Sequence, residues 1–356
     1  MSHCIHFGAC GGCAVAGRSA VEKSASLRAA LQRARFVDVT VAALVETPLQ
    51  TRRRVDLAVK RYAGVITLGL HRARSDEIID MAECVLLAPR IVALLPDFRI
   101  LLRSIEALRR TGTVIINWLD TGPDILLRLD GDLTGPDRTK LIAFARAHHA
   151  VRISVTKGAA EAELVVMLSS PVITLSGIAV EPPPGAFLQA SAAGEAAIVK
   201  AVIAGLPKLT ARSRIVELYA GIGTLSFALV PHGRVEAYEG AADAVAAHEL
   251  ALRKANLAGR MSVAIRDLTR RPLMVAEMAK AAAVVLDPPY AGAGPQMKNL
   301  VAAAVPRVIY VSCNPDALAT DAFSLKRAGY EILSATPIDQ FPYSENLESV
   351  VVFAKP

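Results

Sequence analysis

One tryptophan, 5% aromatic residues and only five cysteines are the scarcest features of this 356-residue sequence. So few cysteines, three of them within the first 13 residues, exclude a disulfide-stapled secreted scaffold. Long apolar runs are missing as well. The longest, Leu164 to Val180, is broken by Ser169, Ser170, Pro171 and Ser176 and is short for a bilayer span. Met1 leads straight into Ser2-His3-Cys4, without the basic and apolar regions of a signal peptide. Repeats are absent, which excludes a collagen-like or low-complexity chain. What remains is 53% hydrophobic and 21% charged, too apolar for disorder and long enough for two domains with cores of their own. The expectation is a soluble, cytoplasmic, monomeric protein.

Charge is unevenly spread. The 40 Lys and Arg exceed the 33 Asp and Glu, a net charge of +7, and most of the excess lies before Val65, including the run Arg52-Arg53-Arg54. A basic face suits a phosphate backbone, whose binding is largely electrostatic. The same excess on a chain of this length also fits ordinary solubility.

The C-terminal part alternates between strands and helices. Strands are predicted at Arg214–Tyr219, Val235–Glu239, Ser262–Ile265, Ala283–Leu286, Val308–Val311 and Ser349–Phe353, with helices at 224–230, 241–256, 297–304 and 314–328. Such alternation implies an α/β fold, an open parallel sheet covered on both faces. The N-terminal part reads as α+β: a helix at Glu22–Arg35, then mostly antiparallel strands at 53–61, 65–71, 114–119, 125–129, 152–156 and 164–168. Glu181-Pro182-Pro183-Pro184-Gly185 is the candidate hinge, which divides the chain into 1–185 and 186–356.

Cys4, Cys10 and Cys13 form Cys-x5-Cys-Gly-Gly-Cys, with Cys84 remote. Three close thiols plus one distant thiol make a four-thiolate metal site, either a 4Fe-4S cluster or zinc. Zinc is the weaker choice because Cys84 has no cysteine neighbour to complete a second knuckle. Gly11 and Gly12 suit a loop wrapped around a cluster with its amides aimed at sulfur. His3 and His6 flank the cluster, where surface or packing roles outweigh ligation.

Glu217-Leu218-Tyr219-Ala220-Gly221-Ile222-Gly223-Thr224 follows a strand and opens a helix, so Gly221 and Gly223 let backbone approach a ligand closely. Glu239 ends the next strand 18 residues after Gly221, where an acid holds ribose hydroxyls. The third glycine of the dinucleotide fingerprint is Ser226, which favours S-adenosylmethionine over NAD. Asp267 follows the third strand and is placed to reach adenine or ribose. Asp287-Pro288-Pro289-Tyr290 is a rigid exit from the fourth strand. Cys313 ends another strand on the same sheet edge, and Glu348 precedes the last one. A cationic methyl donor beside Cys313 is expected to depress its thiol pKa.

Together these segments resemble the bacterial RNA uracil-C5 methyltransferase family, class I and S-adenosylmethionine-dependent, in its iron–sulfur-containing 23S ribosomal RNA branch. The matching segments are Cys4–Cys13 with Cys84, Arg52–Arg54, Phe187-Leu188-Gln189, Glu217–Thr224, Asp287–Gly292, Val311–Pro315 and Phe341–Ser349, in family order over nearly the whole chain. The resemblance implies a Rossmann-like catalytic domain, Cys313 as nucleophile and Glu348 as general base. It implies S-adenosylmethionine contacts at Gln189, Tyr219, Glu239, Asp267 and Asp287, and cluster ligation by Cys4, Cys10, Cys13 and Cys84. It also implies the short form without the N-terminal TRAM β-barrel, because Cys4 is almost at the N-terminus. Tyr290, Ser191 and Asn346 depart from the family's usual Arg, Asn and His, which affects the base pocket. Two alternatives stand beside this reading. Asp-Pro-Pro-Tyr is similar to the motif of exocyclic amino methyltransferases acting on adenine N6 or cytosine N4. A non-catalytic RNA-binding assembly factor of the same fold is the other.

Overall fold

The computed structural model describes residues 4–13 and 20–356; His3 lies outside the described residues. Among these the C-terminal sheet has eight strands, in the order Val45–Glu46, Glu331–Asp339, Glu348–Ala354, Arg307–Ser312, Ala283–Leu286, Arg214–Leu218, Arg234–Glu239, Met261–Ile265. Its central strands are short runs of apolar residues, and Ala283–Leu286 is buried throughout, as a sheet covered on both faces requires. One face packs Leu27, Leu31, Leu318 and Leu325; the other packs Ile198, Val202, Phe227 and Leu252.

The sheet is not wholly parallel. Glu348–Ala354 runs antiparallel to both neighbours, Arg307–Ser312 and Glu331–Asp339. The strand Glu331–Asp339 is absent from the sequence reading because three of its first four residues are exposed and it carries Pro337 and a register shift, all of which mask strand periodicity.

The second sheet has seven strands among the described residues: Ile78–Asp80, Val65–His71, Arg54–Tyr62, Thr111–Leu119, Gly122–Leu129, Arg152–Lys157 and Glu163–Met167. It is antiparallel except where Gly122–Leu129 meets Arg152–Lys157, joined through the helix Gly135–Ala147. That helix starts at a Thr134–Asp137 capping box, and the buried Asp137 carboxylate also accepts the amides of Glu106 and Ala107. Leu95–Ser104 covers the same face, with Phe98 against Phe144.

A division near residue 185 separates the two sheets, yet residues 20–46 cross it. The helix Ala20–Arg33 buries Leu27 and Leu31 in the C-terminal core, and Val45–Glu46 extends that sheet in parallel with Glu331–Asp339. The proline segment is also not a free hinge. Arg152, held bidentately by Asp124 at 2.7 and 2.8 Å, donates to the Pro182 carbonyl at 2.8 Å. Asn117 Nδ2 donates to the Ala186 carbonyl at 2.9 Å, and Gly185 lies so close to Leu126 that a Cβ would meet its Cδ2 at 2.7 Å. The linker is thus fastened along one sheet and delivers Leu188 and Gln189 to the other.

Candidate active site

Ligands of open α/β sheets bind beyond the carboxyl ends of the parallel strands. Here those ends carry Tyr219, Glu239, Asp267, Asp287 and Cys313 in turn. The turn after the first strand holds Tyr219, Gly221 and Gly223 at φ of 63°, 55° and 101°. For Tyr219 this is a strained conformation, of the kind retained where surrounding contacts enforce it. Its hydroxyl donates to the Ala293 carbonyl at 3.2 Å, and burial pushes its pKa up to about 12. A Cβ on Gly223 would stand 2.5 Å from Phe227 and 2.8 Å from His248 Nε2, whereas one on Gly221 would meet nothing within 4 Å. Gly223 therefore packs inward, while Gly221 faces open space, with Thr224 half-buried beyond it.

Glu239 accepts the Gly221 amide through Oε2 and the Ala241 amide through Oε1, both at 2.8 Å, which fixes the turn to the second strand. Asp267 is half-buried and accepts the amides of Thr269 and Arg270 at 3.0 Å. These two acids and the glycine turn form a cradle on one edge, which fits an adenosyl group with ribose hydroxyls. Sequence reasoning missed Glu217 as a member of this group. It is buried beneath the turn, accepts a hydrogen bond from Ser226 Oγ, and is pushed up to about 8 by burial, with Asp287 and Glu239 adding to the rise. Ser226, standing where a dinucleotide fold would have glycine, supplies that hydrogen bond.

Strand register brings the reactive pair together. Ser312 pairs with Ser349, so the next residues outward, Cys313 and Glu348, face each other at the strand ends. Asp287, Gln189 and Gln340 complete the group: Gln189 Nε2 donates to Asp287 Oδ2 at 3.3 Å, and Gln340 Nε2 donates to Gln189 Oε1 at 3.0 Å and to Glu348 Oε2 at 3.3 Å. Burial raises Asp287 above the carboxylate range, and Glu348 well above it, with Asp287 repulsion adding to the latter.

The expected depression of the Cys313 pKa is not what the protein's own groups produce. Burial, then the carboxylates of Glu348 and Asp287, push the thiol up to about 11. Among the described residues no cationic side chain offsets this rise. Because kcat/KM reports free-enzyme ionisations, its logarithm should climb with a slope of about one from pH 7 to pH 9, following the thiolate fraction. A pH–rate profile of methyl transfer measures this; a plateau reached by pH 7 would mean the thiol is already ionised.

One departure from the family pattern, Ser191, has a structural explanation. Ser191 caps the helix Ala192–Gly205, its Oγ accepting the Gly194 amide at 3.1 Å, a task asparagine performs equally well. Tyr290 is 61% exposed beside the site, and its carbonyl accepts from Asn314 Nδ2 at 2.9 Å. Asn314 also caps the helix Pro315–Arg327, so it links the strand that ends at Cys313 to the Asp-Pro-Pro-Tyr loop. Its Asn-Pro start was a readable helix signal. The loop's far end is held by Asp321, which accepts the Ala293 amide at 2.7 Å and the Tyr310 hydroxyl at 2.6 Å. Asn346 is exposed.

The arginine run does not act as one basic stripe. Arg53 is buried, pairs with Glu195 at 2.6 Å and donates to the Gln189 carbonyl at 3.2 Å. Arg54 pairs with Asp56 and lies over the exposed Phe187 ring, 5.7 Å from its centre. Arg52 turns into a pocket lined by Cys4, Cys10, Cys13 and Cys84.

That pocket lies apart from Cys313 and gathers all four predicted thiols. Turns Cys4–Phe7 and Cys10–Cys13 wrap it, and hydrogen bonds from the Gly12 and Cys13 backbone act on Cys10. The Gly11 amide instead donates to the His71 carbonyl at 2.8 Å, where a Cβ would stand 2.7 Å from that oxygen. His6 accepts the Ala82 amide at 3.0 Å, a packing role. Burial, with repulsion from Cys84, Cys10 and Cys4, pushes Cys13 up to about 12. Among the described residues, no group of three or more His, Cys, Asp or Glu side chains stands as it would to hold a metal ion. Cys4, Cys10, Cys13 and Cys84 nonetheless line this one pocket, so the donors of the expected four-thiolate site are gathered there, and crowded thiols ionise together more readily around a bound cation. Arg52 also lies over Phe341, 5.7 Å from the ring centre, and Phe7 packs edge-on against Tyr343, so the pocket wall touches the segment leading to Glu348.

Comparison with known proteins agrees with this layout. The sequence model of the tRNA (uracil-5-)-methyltransferase family matches residues 178–356. An uncharacterized RNA methyltransferase of Brucella suis is 36% identical over 99% of this chain and 84% of its own length. The 23S rRNA (uracil(1939)-C(5))-methyltransferase RlmD of Klebsiella pneumoniae is 32% identical over 99% of this chain and 81% of its own. The structure of Pyrococcus abyssi tRNA (uracil-54, C5)-methyltransferase, in complex with S-adenosyl-L-homocysteine, superposes with a TM-score of 0.69. It covers 94% of this chain and 84% of that one at 19% identity, which shows a shared fold. No helix among the described residues is long and apolar enough to cross a membrane. With a family match over half its length and relatives spanning nearly all of it, the chain belongs to the tRNA (uracil-5-)-methyltransferase family and is an S-adenosylmethionine-dependent RNA methyltransferase.

Proposed function

We propose that this enzyme methylates C5 of uracil in RNA, acting as a cytoplasmic monomer, with 23S ribosomal RNA as the substrate favoured by its likeness to the Klebsiella enzyme. The observation that carries the reaction is the register that sets Cys313 opposite Glu348, with Asp287 beside them. Uracil C5 is too weak a nucleophile to attack a sulfonium methyl unaided. Addition of the Cys313 thiolate to C6 moves the ring electrons toward C5 as an enolate, dividing one difficult step into two easier ones. S-adenosylmethionine supplies the methyl group that C5 takes up. Glu348 then removes the proton from C5, the C5=C6 bond reforms, and the C6–sulfur bond breaks to return the thiolate. A base in folded RNA reaches the thiol only when unstacked, and the exposed Tyr290 and Phe187 rings supply stacking surfaces beside the site.

The segment 1–185, apart from residues 20–46 that pack with the C-terminal sheet, is assigned to RNA binding and the cysteine pocket, and 186–356 to catalysis. Cys4, Cys10, Cys13 and Cys84 would hold a 4Fe-4S cluster, whose part here is to fasten the N-terminal loop to the sheet edge at His71 and Ala82. Anaerobically purified protein should carry about four irons per chain and absorb near 400 nm, and Cys84→Ser should lose both. Stoichiometric zinc with no visible absorption would replace the cluster by a zinc site.

Nucleoside mass spectrometry of unmodified 23S RNA, incubated with enzyme and S-adenosylmethionine, tests the reaction. 5-Methyluridine is the expected product. N6-methyladenosine or N4-methylcytidine would instead make Asp287–Tyr290 an amino-methyltransferase site, and product on transfer RNA alone would overturn the ribosomal assignment.

A further inference from the structure

We propose that Gln340 is a positioning residue for proton removal, its amide holding one oxygen of Glu348 and leaving the other to take the C5 proton. The proposal rests on the uracil-C5 reading above and assigns a function to a residue that no motif marks.

Gln340, Gln189 and Glu348 are all buried, with exposures of 3%, 6% and 4%. The direction of their hydrogen bonds follows from chemistry. Gln189 turns its NH2 to Asp287 Oδ2, which accepts, and so its carbonyl to Gln340. Gln340 must then present its own NH2 to Gln189, and the same group reaches Glu348 Oε2. Glu348 Oε1 is buried and has no hydrogen-bond partner among the described residues, a costly arrangement for an acceptor unless a reacting group uses it. One carboxylate oxygen is tethered and its twin, in a residue facing Cys313, is not.

Gln340 is itself held in place. It follows the strand Glu331–Asp339, where Ile338 pairs with Glu348. Asp339 is clamped by the buried Lys23 at 2.5 Å, and Lys23 also donates to the Phe341 carbonyl at 2.9 Å. From the opposite side Gly194 presses on the Gln340 amide: a Cβ there would lie 2.2 Å from its Oε1. Gln340 Oε1, like Glu348 Oε1, has no hydrogen-bond partner among the described residues. Packing rather than hydrogen bonding fixes this end of the amide, so its orienting effect is directed at Gln189 and Glu348.

The kinetic signature separates positioning from mere structure. Thiolate addition and methyl transfer precede proton removal, and methyl transfer is irreversible. A variant that only misplaces Glu348 therefore lowers kcat, leaves kcat/KM nearly unchanged, and accumulates covalent RNA–protein adduct. Gln340→Met keeps length and volume but removes the amide. Steady-state kinetics and denaturing gels with labelled RNA should show kcat reduced about tenfold or more, kcat/KM within about threefold of wild type, and adduct well above the wild-type level. Gly194→Ala, which displaces the Gln340 amide without altering its chemistry, should show a smaller version of the same pattern and covers the case in which Gln340→Met fails to fold.

Glu348→Gln run in parallel keeps the two questions apart. If Glu348→Gln traps adduct while neither Gln340→Met nor Gly194→Ala does, the positioning role is overturned and the uracil-C5 mechanism stands. A fall in kcat/KM equal to that in kcat, without adduct, likewise overturns it in favour of general damage to the site. If Glu348→Gln itself traps nothing and Cys313→Ala remains active, the mechanism beneath the proposal falls.

Discussion

Cys313→Ala should lower methyl transfer at least about 10,000-fold while changing the affinity for S-adenosylmethionine by no more than about threefold. The first figure follows from losing the covalent step, because without sulfur at C6 the C5 carbon has no enolate to attack from. The second follows from the layout of the sheet edge. The glycine turn, Glu239 and Asp267 are anchored by their own backbone hydrogen bonds and make none with Cys313. Alanine at a half-buried strand end removes little packing, so folding should survive. Single-turnover methylation together with calorimetric titration of the methyl donor measures both numbers. Residual turnover within tenfold of wild type would exclude a thiol nucleophile and revive the amino-methyltransferase reading of Tyr290.

Glu348→Gln should produce the opposite phenotype from the same pair. Addition and methyl transfer go forward, but an amide cannot take the C5 proton, so the RNA stays on Cys313. The expected result is a burst of about one methyl per enzyme, an adduct that survives denaturation, and kcat lower by roughly 100- to 10,000-fold. Stability should change with the opposite sign. A carboxyl whose folded pKa lies above its unfolded value binds more protons when folded, so it lowers stability as pH rises through and beyond that interval. Glutamine removes this penalty, and thermal melting at pH 8 should therefore occur at a higher temperature than for wild type. Release of methylated RNA at the wild-type rate would remove Glu348 from the role of base.

Much of the catalytic half was legible before folding. Runs such as Ala283–Leu286 announce a sheet buried on both faces, and Tyr219–Gly223 announces a tight turn after a strand, because these local patterns have few other physical uses. Glu331–Asp339 was not legible, since its exposed first half, Pro337 and register shift erase the alternation that marks a strand. The arginine run was legible only as charge. Which of three consecutive arginines is buried against Glu195, which turns into the cysteine pocket and which lies over Phe187 depends on partners more than 100 residues away for the first and last. The rise that the protein's own groups impose on the Cys313 thiol was not legible for a related reason: Glu348 and Asp287, whose carboxylates add to burial, come from other strands.

By itself the sequence determined the candidate reactive groups, a thiol, a carboxylate and a glycine turn, and the α/β alternation that sends strand ends to one edge. It also determined the cysteine spacing, because three of those thiols lie within ten residues of one another. Only the tertiary structure decided that the last strand runs antiparallel, so that Glu348 opens it opposite Cys313 instead of leaving from the far edge. It alone decided that Gln189, brought across by a pinned proline linker, and Gln340, locked by Lys23 and Gly194, would join two buried carboxylates through their amides. Hydrogen bonds of that reach join residues 98 to 151 positions apart, and no periodicity or motif encodes a pairing at such separation.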